Sequence, residues 1–200
     1  MATDEHMSDL RKAILSVCPI EETVLKHFLY IFSSEVLEPE ELFARGGDYS
    51  THFGFIQKGI IKSYYSDLKG NDFIKGIFTD HMFVLPLPSF LYRKPTYLNF
   101  KTLVRTEILR ANYIKLEEIA RKYSGIQRFV YKLIENEWIL NRELHEAGMH
   151  IYNPASRYRI FAGQYRDFQY EIPPEDIASF LNIPVKQVLR FMKEFQTSGI

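Results

Sequence analysis

Hydrophobic residues recur at roughly helical spacing over the first part of the chain. Ile14, Val24 and Phe28 belong to this pattern, and Pro19 interrupts it. A proline inside a helix removes a backbone hydrogen bond and clashes with the preceding turn. The pattern therefore predicts helices on both sides of Pro19, within residues 1–38.

The period of the pattern changes at Leu42. Short segments rich in Ile, Phe and Tyr, such as THFGFIQKG and NDFIKGIFT, are separated by turns that contain glycine. This alternation is typical of antiparallel strands. Residues Asp67 to Asn71 form the loop of a predicted hairpin, and KTLVRTEILRANY, which ends at Tyr113, predicts a last strand pair. The middle of the chain should therefore form a small antiparallel barrel or roll.

Helical periodicity returns at Leu116 and continues to about Ala147. One apolar stripe on this helix has alternating steps of four and three residues, the spacing of a coiled-coil seam. Its members are Ile126, Val130, Leu133, Glu137, Leu140 and Leu144. Such a stripe must be buried, either against the chain's own barrel or against a second copy of the chain. We favour the second interpretation, a homodimer seam.

A hinge-like break follows Gly148, and Asn153 and Pro154 open a new helix predicted over Arg157 to Arg166. The patterns divide the chain into three predicted parts. These are a β-roll with N-terminal helices (1–117), a dimerisation helix (118–149) and a compact helical unit (150–200).

The stretch EDIASFLNIPVKQVLR, within the helical unit, predicts two helices joined by a tight turn. Asn182 suits the left-handed turn position, and Pro184 suits the start of the second helix, predicted from Val185 to Phe195. We expect an inward face made of Val188, Leu189, Met192 and Phe195, and outward side chains on Lys186, Gln187, Arg190 and Lys193. The pattern fits a helix-turn-helix, or else an ordinary helical hairpin with a solvated polar face.

Composition and charge narrow the function. The chain has 200 residues, 46% of them hydrophobic, and equal numbers of basic and acidic residues, 25 each. Because the net charge is zero, any surface that attracts nucleic acid must be local. A single cysteine, Cys18, excludes an internal disulfide and a cysteine-only metal or iron–sulfur site, and it favours a cytoplasmic location.

Neither a secretory signal nor an apolar run long enough to span a membrane occurs in the sequence. It also lacks a nucleophile elbow, an HExxH motif, a P-loop and a paired carboxylate motif. We therefore expect no membrane partner, no metal site and no catalytic residues, and we predict that the protein is not an enzyme.

A helical lead-in, a glycine-punctuated barrel, a seam helix and a C-terminal helix-turn-helix resemble the cyclic-AMP receptor protein and FNR family of bacterial transcription regulators. The resemblance covers nearly all of the chain, from ELFARGGDYSTHFGFIQKGIIKSYYSDLKGNDFIKGIF to IPPEDIASFLNIPVKQVLRFMKEF. It implies an α+β fold with an N-terminal antiparallel β-roll of the cyclic-nucleotide-binding type, a long dimerisation helix and a C-terminal helix-turn-helix domain. The family's β-hairpin wing would begin near Gly199, so we expect a domain that lacks a clear wing.

The resemblance also implies roles for single residues. Lys186, Gln187 and Arg190 fall where family members read base edges in the major groove, and Arg190 matches the most characteristic arginine of that helix. Lys186 departs from the glutamate of many relatives, so the operator sequence should differ from theirs. Arg157 and Lys193 are candidates for phosphate contacts.

The segment FVLPLPSFLYRKPTYLNF occupies the position of the family's cyclic-nucleotide cassette. Leu85 and Pro86 fall where the Gly-Glu pair would be, and the Arg-Ser pair falls near Thr96 and Tyr97. Because the charge-assisted hydrogen bonds to ribose and phosphate are lost, we predict that cyclic AMP is not the effector. Arg93 and Lys94, with Thr96 and Tyr97, are weaker candidates for holding an unknown small molecule.

We predict no cofactor. His52 and His81 lie in or near the barrel and leave a haem site open, although a lone histidine on a strand is more often structural.

These observations predict a homodimeric, DNA-binding transcription regulator that binds a pseudo-palindromic operator. Its partners would be double-stranded DNA, a second copy of the chain and RNA polymerase. The alternative is a degenerate sensor barrel that acts as a protein-interaction module without specific DNA binding. Neutral overall charge and the expected lack of a wing favour this alternative.

Overall fold

The computed structural model of the chain describes residues 4–135, 139 and 141–198. It begins with two helices, α1 (Asp4–Val17) and α2 (Glu22–Leu29), on either side of Pro19, as predicted. The helical region is shorter than predicted, because strand β1 (Phe32–Leu37) begins ten residues before Leu42. Its polar residues SSE interrupt the helical period, and the strand pairs along its full length with a later strand.

Eight strands form the middle of the chain and belong to two four-stranded antiparallel sheets. The strands after β1 are β2 (Leu42–Ala44), β3 (His52–Lys58), β4 (Ile61–Ser66), β5 (Asp72–Phe78), β6 (Phe83–Val84), β7 (Asn99–Thr102) and β8 (Thr106–Asn112). The first sheet has the order β1-β8-β3-β6, and the second has the order β2-β7-β4-β5. The predicted antiparallel roll is confirmed.

The β4–β5 hairpin has the predicted loop. The Asp67 carboxylate accepts hydrogen bonds from the backbone N–H groups of Lys69 and Asn71, at 2.8 and 2.9 Å. Gly70 takes a φ of 83°, which a glycine adopts without steric cost. In its sheet β5 has β4 as a neighbour on one side and no described strand on the other, so it is an edge strand.

One helix interrupts the roll, and the first four of the described helices that follow it lead to the C-terminal part. They are α3 (Leu87–Tyr92), α4 (Tyr113–Lys122), α5 (Ser124–Ile134), α6 (Asn141–Ile151) and α7 (Pro154–Gln164). The predicted long helix is broken at Tyr123, where φ is −128° and ψ is 111°. No helix in the described part of the chain is both long and apolar enough to cross a membrane.

The first core lies between α1, α2, α5 and the β1-containing sheet. Phe129 of α5 makes edge-to-face contacts with Phe28 and Phe83, with ring centroids 5.5 and 5.6 Å apart. Such pairs add stabilisation beyond the burial of their area. This core fixes α5 on its own barrel.

The structure corrects the homodimer seam at two of its first three positions. Ile126 and Leu133 are 0% and 3% exposed within this first core, and Val130 packs partly against it. Ile126 and Leu133 are therefore buried by the chain itself and are not open to a second copy, whereas Val130 is half-buried and stays a predicted seam position. Leu144 is 71% exposed, whereas Glu137 and Leu140 lie outside the described residues.

The C-terminal part contains α7 and two further helices, α8 (Pro174–Leu181) and α9 (Val185–Ser198). The Asn153 side chain caps α7 by accepting a hydrogen bond from the N–H of Ser156 at 2.9 Å. Helices are the only regular elements between residues 141 and 198, and the predicted position of a wing lies outside the described residues.

A second core joins the helical part to the roll. Ile60, Tyr64, Ile74 and Ile77 of the roll are buried in one cluster with side chains of α7, α8 and α9. The predicted domain boundaries after residues 117 and 149 stay predictions, but the buried side chains cross the second of them.

Candidate nucleic-acid interface

A hydrogen-bonded turn joins α8 to α9. Asn182 takes the left-handed conformation, with φ 51° and ψ 54°. Its N–H donates to the Ser179 carbonyl at 3.3 Å, and the Ile183 N–H donates to the Ala178 carbonyl at 3.0 Å. This pair of bonds is the Schellman arrangement that closes a helix C-terminus. The predicted helix-turn-helix is present, and Asn182 has the predicted turn conformation.

Arg157 of α7 holds the same turn from the other side. Its Nη1 donates to the carbonyls of Leu181 and Asn182 at 3.0 and 3.2 Å, and its Nε donates to the Tyr152 carbonyl at 2.9 Å. The predicted phosphate contact of Arg157 stays a prediction, since the bonds to these carbonyls engage Nε and Nη1 of its guanidinium group. Arg157 is a positioning residue for the turn.

The inner face of α9 packs on α7. Val188 and Phe191 are 0% and 4% exposed, and the rings of Phe191 and Tyr158 lie 5.5 Å apart. Burial raises the pKa of Tyr158 to about 12. Leu189 was predicted on this inner face, but it is 46% exposed and therefore does not belong to it. The buried side chains fix the rotation of α9 about its axis.

The outer face of α9 carries the predicted polar side chains. Lys186, Arg190 and Lys193 are exposed, whereas Gln187 is half-buried. The Arg190 guanidinium lies 4.8 Å from the Phe191 ring centroid, and its Nε is 3.5 Å from a Glu194 carboxylate oxygen.

Gln187 differs from its neighbours in one respect. Its Oε1 is buried and accepts no hydrogen bond from the described residues. A buried acceptor without a donor costs about 1–3 kcal/mol.

A buried ion pair fixes the first helix of the motif on the roll. Lys62 of β4 donates from Nζ to both carboxylate oxygens of Asp176 at 2.8 and 2.9 Å, and both side chains are 9% exposed. Asp176 lies in the first turn of α8, where the helix dipole also favours a carboxylate. An Asp176 or Lys62 left without the other would be a buried, uncompensated charge.

Two hydroxyl groups connect the C-terminal helices to the edge strand β5. Ser179 of α8 accepts a hydrogen bond from the Ile74 N–H at 3.0 Å and donates one to the Asp72 carbonyl at 3.1 Å. Its hydroxyl group thus satisfies two backbone groups on the open edge of β5. Tyr165 donates to the Ile77 carbonyl at 3.1 Å. The helix-turn-helix is therefore docked on the roll while the outer face of α9 stays open.

Sequence patterns did not reveal this docking. Lys62 interrupts the apolar run GIIKSYY and Asp176 stands at a helix start, and both signals also fit solvent-exposed residues. They lie 114 residues apart, so only the tertiary structure brings them together.

The predicted effector residues separate into two groups. Arg93 pairs with the Glu117 carboxylate at 2.7 and 2.8 Å on the surface, and Lys94 is exposed. Thr96 and Tyr97 instead line a cavity of about 330 Å³ beside β7, where Arg93 and Lys94 take no part. Thr96 is 1% exposed and donates to the Leu98 carbonyl, whereas Tyr97 is 71% exposed.

The two barrel histidines have separate surroundings. His52 lies 2.7 Å from Thr51 Oγ1 and 3.3 Å from an Arg110 nitrogen, and burial, followed by the Arg110 charge, lowers its pKa. His81 stacks on Phe55. Across the residues that the structure describes, no group of three or more His, Cys, Asp or Glu side chains is placed to hold a metal ion.

Comparisons with known proteins identify the fold. No protein-family model matches the sequence, and no curated protein matches it significantly. Solved structures do match. FixK2 from Bradyrhizobium japonicum is similar with a TM-score of 0.75 and 15% identity, over 85% of this chain and 87% of that chain.

Two further regulators share this similarity. The c-di-GMP-responsive global regulator CLP of Xanthomonas campestris has a TM-score of 0.65 at 13% identity, over 90% of this chain and 93% of that one. The catabolite activator protein of Thermus thermophilus has a TM-score of 0.56 at 12% identity, over 94% and 88%. The chain therefore has the α+β fold of the Crp/Fnr regulators, as the sequence resemblance predicted.

Proposed function

We propose that this protein is a transcription regulator that binds double-stranded DNA through the outer face of α9. The observation that supports this function best is the division of α9 into two faces. Val188 and Phe191 are buried and immobilise the helix, while Lys186 and Arg190 point away from the protein. A helix fixed in this way can present its side chains to the major groove with a defined register.

The chemistry of the outer face suits base recognition. The Arg190 guanidinium offers two parallel donors to guanine O6 and N7, and the Gln187 amide can pair with adenine N6 and N7. Because Gln187 Oε1 is buried in the structure, the side chain must rotate outward to make this pair. Lys193 is proposed to contact a phosphate, and Lys186 a base edge.

The proposed homodimer uses α6 in place of the α5 seam. Leu144, Ala147 and Ile151 are spaced by three and four residues on one side of α6, and Leu144 and Ile151 are 71% and 72% exposed. Met149, on another side, packs against the second core. An exposed apolar stripe on an otherwise docked helix is a surface that a second copy would bury.

Control by cyclic AMP is not part of this proposal. Leu85 is 1% exposed in the first core and offers no carboxylate to a ribose, and Thr96 is used within the chain. Contact with RNA polymerase and a cytoplasmic location also stay predictions.

Fluorescence anisotropy with labelled duplexes tests the proposal. We expect affinity to fall steeply as salt rises, because phosphate contacts release counterions. The operator duplex is the sequence that the wild-type protein selects from a random pool. Arg190→Ala should reduce the preference for this operator over random DNA by about tenfold to a hundredfold, with little change in affinity for random DNA. Arg121→Ala, which removes the same charge from the 81% exposed side chain on α4, is the matched control and should bind like the wild type.

Unchanged operator preference in Arg190→Ala would refute the base-reading role of this arginine. Absence of any salt-dependent DNA binding would instead favour the protein-interaction module.

A further inference from the structure

A cavity of about 460 Å³ lies where the roll meets the helix-turn-helix. Residues of β5, α6, α7 and α8 line it, so the cavity exists only when these elements are packed together. It extends past Ile160, which is 51% exposed, and past Leu144, which is 71% exposed in the single chain and also belongs to the proposed α6 interface. Its size falls within the range of small-molecule sites in proteins.

Aromatic and aliphatic side chains form the apolar part of the cavity wall. Phe180 of α8 stacks on His145 of α6, with ring centroids 4.3 Å apart and an interplanar angle of 26°. Ile77 and Phe78 of β5 and Phe161 of α7 complete this side. Aromatic side chains in a cavity wall favour an apolar ligand that itself carries an aromatic ring.

The charges around the cavity are mostly positive. Lys75, Arg142 and Arg157 contribute cations, and Glu146, which pairs with Arg142 at 3.0 Å, is the one carboxylate among the described lining residues. Burial lowers the pKa of His145, and the Lys75 charge adds to this shift, while a backbone hydrogen bond at Phe180 and the Glu146 charge oppose it. Because Glu146 pairs with Arg142, Lys75 is the lysine in the wall that could bind an anionic group of a ligand.

We infer that this junction cavity, between β5, α6 and the helix-turn-helix, binds a flat, apolar organic anion such as an aromatic carboxylate. The ligand would contact Lys75 on the roll and Phe180 on α8 at once. Because it would bind the docked arrangement in preference to an undocked one, its binding would stabilise docking. Binding itself is independent of the proposed DNA function, whereas an effect on transcription rests on it.

Two fluorescent probes test this site in the full chain without DNA. Anilinonaphthalene sulfonate is a flat apolar anion, and phenylnaphthylamine is its uncharged counterpart. We expect saturable fluorescence enhancement by the sulfonate with one site per chain. Ile160→Trp, at an exposed rim position, should narrow the cavity and weaken both probes at least tenfold.

The charge is tested separately. Lys75→Ala should weaken the sulfonate about two- to fivefold and leave the uncharged probe unchanged, as expected for a partly exposed ion pair. Lys69→Ala, in the exposed β4–β5 loop outside the cavity, removes the same charge and should change neither probe.

The second cavity supplies the decisive control, because Lys75 lines it as well. Tyr97→Ala opens that cavity alone and should leave the sulfonate affinity unchanged. Loss of binding in Tyr97→Ala with retention in Ile160→Trp would overturn the assignment. An absence of saturable binding would overturn the site. An equal effect of Lys75→Ala on both probes would overturn its preference for an anion.

Discussion

At the scale of single residues, the candidate interface depends on how the turn between α8 and α9 is held. Asn182 supplies a left-handed backbone that most side chains avoid, and Arg157 satisfies two carbonyls at the end of α8. The turn therefore has both a backbone and a side-chain determinant. Together they set the angle at which α9 leaves α8.

Substitution at Asn182 measures the backbone contribution. Asn182→Ala should lower the free energy of unfolding by about 1 kcal/mol, because alanine is strained at a positive φ, whereas Asn182→Gly should remain close to the wild type. Urea unfolding followed by circular dichroism compares the variants. Equal stability of the alanine and glycine variants would show that the left-handed conformation is not what the residue supplies.

The sequence predicted the conformation of Asn182 because asparagine tolerates this conformation and stands between two amphipathic segments. It did not predict the contacts of Arg157. An arginine on the polar side of a helix has the same local signature whether it faces solvent, a phosphate or a carbonyl. Only the position of α8 distinguishes these cases.

At the scale of secondary structure elements, docking of α8 on β5 decides where the motif sits. The Lys62–Asp176 pair is buried, and Ser179 covers the polar groups of the strand edge. Docking thus combines a charge pair that is costly to break with backbone hydrogen bonds. An isolated helical hairpin would need neither.

A double-mutant cycle tests the ion pair. Lys62→Met or Asp176→Leu alone should cost about 3–5 kcal/mol of unfolding free energy, since each leaves a buried charge, while the double variant should recover most of the loss. Urea unfolding supplies the four free energies. The exposed pair Arg142–Glu146 is the matched control, with an expected coupling below about 0.5 kcal/mol. Additive losses at Lys62 and Asp176 would contradict a buried, coupled pair.

At this scale the sequence predicted the hydrophobic period of a helix correctly, but it did not predict which surface the helix packs against. The stripe containing Ile126 and Leu133 was predicted correctly as a helical face in need of burial. Its local spacing fits an intramolecular core as well as a dimer seam, and the aromatic residues of α2 and the roll that bury it are distant in sequence. Strand β1 was missed because three consecutive polar residues hide its alternation.

At the scale of the whole molecule, the roll contacts helices through two separate cores. One holds α1, α2 and α5, and the other holds the C-terminal helices. Periodicity predicted the antiparallel roll and the helices after it, and the resemblance to a known family implied how these parts combine into one fold. The burial that joins them was not predictable, because it depends on pairs far apart in the chain.

The proposed second copy is tested on α6. Leu144→Asp combined with Ile151→Asp should convert a dimer into monomers in sedimentation equilibrium, because two charges would be buried in an apolar interface. Ile114→Asp, at a 52% exposed position on α4, should leave the dimer intact. A dimer that survives the double substitution would place the interface elsewhere.

Selection of bound sequences from a random duplex pool, with wild-type protein and Arg190→Ala in parallel, tests DNA recognition by α9 most directly. We predict that the wild type enriches an inverted repeat, with half-sites about one helical turn apart. We also predict that Arg190→Ala loses the guanine preference at one position of each half-site. Failure of the wild-type protein to enrich any sequence would contradict specific DNA binding by the isolated protein.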